Sequence, residues 1–174
     1  MTGNPAERQG KKMNLNYMDI HCHILPGVDD GAKNMEQSLE MLNVAYDEGC
    51  RGIVLTPHYE RGRNSYKPEE LDQIFSNLKS EAKKRFPDME LYLGNELLYE
   101  DGIVEDIKNG LVHTMAGTKY VLAEFNIQIS YQGIYRAMKE LTQARFRPII
   151  AHVERYHCLA GHMERMEELE EMGI

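Results

Sequence analysis

The sequence predicts an α/β fold with parallel strands, either most of a barrel that stops early or a smaller open sheet. Three observations carry this. Short apolar runs alternate with longer segments of helical periodicity, the pattern of repeated strand–helix units. Successive runs are spaced close to the ~30 residues of a βαβ step. Each run is also closed by a His or Glu, as expected where strand ends converge on one functional rim.

Residues 1–16 are polar, with Gly, Pro and Asn, and read as a flexible N-terminal arm before a domain spanning 17–174. Tyr17–Ile20 is the first candidate strand. Met35–Glu48 follows as a helix with Met35, Leu39, Leu42 and Ala45 on one face. Asn34 is placed to cap that helix and Gly49 to stop it. Gly52–Thr56 is a β-branched run of the kind buried in parallel sheets. Pro68 opens the clearest helix at the first-turn position that proline tolerates. Its stripe is Leu71, Ile74, Phe75, Leu78, Ala82 and Phe86. Glu90–Leu93, Tyr120–Phe125 and Pro148–Ala151 are the third, fourth and fifth strands. Helices are expected around Gly102–Asn109, along Ile134–Arg145 and over 162–172. A complete eight-fold barrel takes about 250 residues, so five units in 174 residues amount to most of a barrel or a smaller open sheet.

The formal charge is −8, which argues against nucleic acid as the main partner, because phosphate neutralisation needs a basic footprint. Hydrophobic and charged shares of 42% and 28% are ordinary globular values,. No apolar run approaches the ~18 residues of a membrane span. Cys22, Cys50 and Cys158 are odd in number and scattered, which suits a reducing cytosol better than a disulfide framework. The N-terminus shows no apolar signal core. A cytoplasmic location is therefore expected.

Chemistry collects at the strand ends. His21 and His23 follow the first strand, and His58 the second. Glu96 follows the third, Glu124 lies near the end of the fourth, and His152 follows the fifth. Residues two apart on an extended segment point the same way, so His21 and His23 form a natural ligand pair. Asp29 and Asp30 add carboxylates on the first loop. Imidazole and carboxylate donors suit Mn, Fe or Zn, and so many donors over-supply one ion, so a cluster of two or three is expected. A single His after a strand is usually an ordinary loop residue. Five coincidences at five strand ends are not, and Glu124 would be costly to bury unpaired. His113 and His162 read as solvated, and His157 as a neighbour rather than a ligand. Cys22 is expected to turn away into packing, the Met residues to fill core, and Glu164, Glu167, Glu168, Glu170 and Glu171 to form a solvated face.

The stretch Asp19–Gly31 (DIHCHILPGVDDG), followed in order by TPH, GNE, LAEF and IAHVERY, resembles the PHP superfamily of polymerase and histidinol phosphatase domains. Within it, the chain is similar to the bacterial manganese-dependent protein tyrosine phosphatases of capsule and exopolysaccharide gene clusters, the CpsB/CapC type. The resemblance covers residues 17–174 and implies a distorted TIM-like (β/α)7 barrel, here lacking its last strand–helix units. It implies that His21 and His23 bind one metal, with Glu96 bridging to a second that Glu124 and His152 complete. It implies that Asp30 and His58 hold a third, with Asp30 also orienting the attacking water. Arg155 would bind substrate phosphate. The implied activity is phosphotyrosine hydrolysis on the tyrosine-rich tail of an autophosphorylating kinase that controls polysaccharide chain length.

The family's further Asp-x-His motif and second arginine have no counterpart before Ile174, so the resemblance also implies a C-terminally truncated chain. Weak activity and self-association through an open barrel edge are then expected. The rival readings are a small-molecule phosphatase of the histidinol-phosphate kind and a metal-binding remnant that only docks a partner. A phosphocysteine route is not assigned, because Val28, Thr56 and Glu164 stand where a Cys-x5-Arg loop would need arginine.

Overall fold

The computed structural model describes residues 16–63 and 66–174; the arm expected over 1–16 lies, but for its last residue, outside them. Seven strands and five helices run in the order β1 (Tyr17–Cys22), α1 (Met35–Asp47), β2 (Cys50–Leu55), β3 (His58–Tyr59), α2 (Pro68–Arg85), β4 (Glu90–Leu93), β5 (Glu96–Leu98), α3 (Ile103–Lys108), β6 (Tyr120–Glu124), α4 (Tyr131–Gln143), β7 (Arg147–Ile150) and α5 (Met163–Glu171). All pairings are parallel. They make a three-stranded sheet, β1-β2-β4, and a four-stranded sheet, β3-β5-β6-β7. Among the described residues no helix is long and apolar enough to cross a membrane.

Two of the seven strands were not expected. The runs ending at Leu55 and Leu93 each break and resume as β3 and β5. Pro57 lacks an N–H for the ladder, and Gly94 has no side chain to pack in it. The backbone nevertheless stays bonded across the break. Thr56 N–H donates to the Cys22 carbonyl at 2.9 Å, Gly94 N–H to Leu55 at 2.8 Å, and Glu96 N–H to Pro57 at 3.1 Å. A Cβ on Gly94 would lie 3.0 Å from Met115 Sδ and 3.3 Å from Val54 Cγ1, so close packing keeps this position bare. The barrel wall therefore changes sheet at Thr56-Pro57 and Gly94-Asn95.

The helices follow their sequence signals. The Asn34 side chain accepts from Gln37 N–H at 3.0 Å, and Pro68 opens α2 with Lys83, Lys84 and Arg85 in its last turn, where they complement the helix dipole. Helix α4 starts three residues before the expected Ile134, because Ser130 caps it by accepting from Gly133 N–H at 3.2 Å.

Alternation along the strands divides the core into layers. Ile53 and Leu55 face outward onto Leu39, Leu42, Leu71 and Leu78 of α1 and α2. Val121 and Ala123 face Ile134, Met138 and Leu141 of α4. Val54 and Leu122 face inward with Met115 and Ala151, joining the two sheets across the barrel interior. Met89, Met115 and Met138 are core, as expected of Met, whereas Met18 and Met163 are exposed.

Candidate metal centre

The centre forms where the two sheets meet. His21 and His23 stand at the end of β1. The β1–β2 register shifts between Asp19 and Cys22, and Asp19 Oδ1 accepts the His21 N–H at 3.0 Å there. Irregularities of this kind re-aim a side chain. His58 and Glu96 open β3 and β5 as direct register partners, so they begin strands rather than merely follow them. Glu124 closes β6, and His152 follows β7 with a left-handed backbone (φ 52°), strain that a non-glycine residue adopts where its surroundings impose it.

Glu96 is the hub. Its side chain is fully buried, and Oε2 lies 3.1 Å from His21 Nε2, 3.2 Å from His23 Nε2 and 3.2 Å from His58 Nδ1. Its other oxygen, Oε1, lies 2.9 Å from His152 Nε2. Neither oxygen has a hydrogen-bond partner. A buried carboxylate left so would be costly. Ring nitrogens and carboxylate oxygens converging without aligned hydrogen bonds are what donors directed at cations look like, so the residues fit divalent metal.

Three donor groups are compact enough to hold an ion: His21, His23 and Glu96; His23, Asp30 and His58; and His58, Glu96 and Glu124. Glu124 lies 3.8 Å from His58 Nδ1 and 3.9 Å from His152 Nε2. The grouping differs in detail from the one the resemblance implied. His58 belongs to both the second and third of these groups, and His23 to both the first and second. The physical reason is that His58 sits in the ladder beside Glu96, with its ring between Asp30 and Glu124.

Asp29 and Asp30 are adjacent in sequence but not in environment. Asp30 is exposed, its Oδ1 3.6 Å from His58 Nε2. Asp29 is half-buried with its side chain enclosed: Oδ2 lies 2.7 Å from His23 Nδ1 and accepts the His58 N–H at 3.2 Å, while Oδ1 accepts the Gly31 N–H at 3.0 Å. Asp29 therefore orients His23 from behind, as carboxylates commonly do for metal-ligating imidazoles. A Cβ on Gly31 would lie 2.0 Å from the His23 carbonyl oxygen, so only glycine lets this loop close on His23. The sequence signal was the acidic pair itself; which acid supports and which faces out depended on the loop.

The electrostatics follow. Asp29 and then Glu96 raise the His23 pKa against the effect of burial, pushing it up to about 10. Burial alone would raise the Glu96 pKa, but the imidazoles of His21, His23 and His58 hold it well below the usual carboxylate range. Burial likewise opposes charge on Asp29, yet His23 and the N–H groups of Gly31 and His58 keep its pKa low.

The remaining residues fall as follows. Arg155 lies on the single turn after His152, exposed, with Nε 3.8 Å from Glu154 Oε1. His157 is exposed and outside the three donor groups. His162 is near the start of α5, its Nδ1 3.2 Å from Glu164. His113 is not simply solvated: Nε2 lies 3.0 Å from Asp72, and its N–H donates to the buried Asn95 side chain at 2.8 Å. Glu164, Glu167, Glu168, Glu170 and Glu171 are exposed, as expected, and Glu168 also accepts the Tyr131 hydroxyl. Cys22 packs against the first core layer, and burial raises its thiol pKa far above the ordinary range. Tyr156, the last residue of the IAHVERY stretch, takes a structural role that no sequence signal marks: it is buried, its hydroxyl accepting the Phe125 N–H at 3.0 Å.

Comparison with known proteins agrees with this architecture. The tyrosine-protein phosphatase CpsB of Streptococcus agalactiae is 36% identical over 156 residues, covering 90% of this chain and 64% of that protein. The tyrosine-protein phosphatase YwqE of Bacillus subtilis is 29% identical, covering 90% and 61%. Crystal structures of YwqE and of CpsB from Streptococcus pneumoniae, described as unique metal-dependent tyrosine phosphatases, include a chain matching with a TM-score of 0.81 at 28% identity, over 90% of this chain and 63% of that one. The chain thus spans just under two thirds of the length of these relatives. The family model for capsular polysaccharide synthesis, CpsB/CapC, matches residues 17–174, and with the parallel α/β fold and the converging His and Glu side chains this establishes that the chain belongs to the CpsB/CapC family.

Proposed function

We propose that the chain is a metal-dependent phosphatase acting on phosphotyrosine in protein. The observation that carries the reading is the buried Glu96 carboxylate, ringed by four imidazoles and without a hydrogen bond. The relatives' names support the reaction class, and the solved structures' description supports its metal dependence.

His21, His23, Asp30, His58, Glu96, Glu124 and His152 are the proposed metal ligands, for two or three divalent ions of the Mn, Fe, Zn or Mg class. Such ions polarise phosphoryl oxygens and lower the pKa of a water from 15.7 towards about 7. Glu96 presents one oxygen to His21, His23 and His58 and the other to His152, so it would hold metal in common with all four imidazoles. Asp29 fixes the His23 ring. Exposed Asp30, beside His58, orients the attacking water and takes its proton. Arg155, exposed beside Glu154, would offer phosphate oxygens a planar fork of N–H donors. The leaving group is a phenol of pKa about 10, which departs without a strong general acid.

The proposed substrate is the tyrosine-rich cytoplasmic tail of an autophosphorylating kinase; the family's tie to capsular polysaccharide synthesis supports that choice. Phosphate release from a phosphotyrosyl peptide and from histidinol phosphate, each with added Mn, tests the reading. Preference for the peptide is expected. Preference for histidinol phosphate would replace it with the small-molecule phosphatase.

A further inference from the structure

A cleft of about 630 Å³ opens beside the centre, with Leu98, Phe125 and Ile127 as its apolar lining and Glu124, Asn126, Gln128 and His157 as its polar lining. That is a volume ordinary for a small-ligand cleft. Glu124 belongs to both places, since its carboxylate also faces His58 and His152. One part of the apolar lining is packed into the core. Phe125 is buried, its ring centroid 5.7 Å from that of Tyr99 and 5.9 Å from that of Tyr156.

Ile127, by contrast, is 52% exposed. The turn that carries it is tied down. The Asn126 side chain accepts the Gln128 N–H and the Asn126 carbonyl accepts the Ile129 N–H, both at 2.9 Å. A large apolar side chain is thereby held at the mouth of a cleft that begins at a metal-facing carboxylate.

We propose that this cleft seats the aromatic ring of an aryl phosphate, and that Ile127 and Leu98 select phosphotyrosyl over alkyl phosphate substrates. The inference rests on the phosphatase reading, because it places the phosphate at the Glu124 end. In an aryl phosphate the ring is bonded directly to the ester oxygen. A phosphoryl group at Glu124 therefore leaves the ring at the Ile127 side of the cleft. An alkyl ester presents no flat apolar surface there and leaves Ile127 in water.

The test compares wild type with Ile127→Ser and Ile127→Leu. Position 127 is exposed, so neither change disturbs the core. Two readouts are taken on the Mn-loaded chain: kcat and KM for a phosphotyrosyl peptide and for glycerol 2-phosphate, and calorimetric affinity for a peptide carrying non-hydrolysable phosphonomethyl-phenylalanine. Ile127→Ser should raise KM for the phosphotyrosyl peptide more than it changes kcat, and lower the aryl-to-alkyl kcat/KM ratio about tenfold, the scale of a lost apolar contact. It should weaken the phosphonate peptide comparably, and Ile127→Leu should restore both. An unchanged ratio or an unchanged phosphonate affinity in Ile127→Ser overturns the cleft assignment. A wild type that hydrolyses no aryl phosphate sinks the phosphatase reading instead. The phosphonate peptide then still decides the cleft: weaker binding to Ile127→Ser supports it, and equal or absent binding overturns it.

Discussion

His58 and Glu96 are register partners on strands of two and three residues, and His58 Nδ1 lies 3.2 Å from Glu96 Oε2. Neither strand would hold alone. They are held by the break that precedes them, where the Pro57 carbonyl accepts both the Glu96 N–H and the Asn95 side chain. The shape of the centre thus depends on a buried asparagine outside the proposed ligand set.

Asn95→Ala is accordingly expected to cost about 1–3 kcal/mol of stability, because it removes both side-chain hydrogen bonds and leaves the His113 N–H unpaired. Urea unfolding measures this. Stability within a few tenths of wild type would show that the break does not depend on Asn95.

The sequence made the donor set legible because chemistry-bearing residues at strand ends need only the strand periodicity to be located. His21, His23, His58, Glu96, Glu124 and His152 were all found in this way, and the structure brings them together. The sheet change at Pro57 and Gly94 was not legible. Two- and three-residue strands have no periodicity to detect, and they owe their pairing to partners far along the chain. The different environments of Asp29 and Asp30 were hidden for a related reason. They depend on Gly31 lying against the His23 carbonyl, a contact between loop backbones.

Asp29→Ala should lower Mn affinity by about 10- to 100-fold, the usual effect of removing a carboxylate behind a ligating imidazole. Metal titration of the two proteins reads it directly. Equal affinities would mean that Asp29 supports the loop and not the His23 ring.

Metal loading should depend on pH through His23. Its pKa is raised from 6.5 to about 10 by Asp29 and then Glu96. In the metal-free protein the stabilisation from that charged ring is complete below about 6.5 and is lost as pH rises through about 10. A metal has to displace the same proton, so Mn affinity should rise by up to about tenfold per pH unit between roughly pH 7 and 9. Titrations across that range would refute the coupling if affinity were flat.

Cys22→Ser, Cys50→Ser and Cys158→Ser should keep activity if they fold, and iodoacetamide should leave it intact. Cys22 lies between His21 and His23, both proposed metal ligands, but burial raises its thiol pKa far above neutrality, so little of the reactive thiolate is present. Loss of turnover in a folded cysteine variant would contradict water as the nucleophile.

The most direct test of the account is reconstitution at Glu96. Wild type and Glu96→Gln are stripped with chelator, refilled with Mn, and assayed for metal content and for phosphate release from a phosphotyrosyl peptide. The glutamine keeps the shape and removes the charge. Wild type should lose activity on stripping and regain it with bound Mn, while Glu96→Gln should hold less metal and stay inactive. Turnover that survives stripping, or a Glu96→Gln protein that binds Mn and hydrolyses the peptide as wild type does, would contradict it.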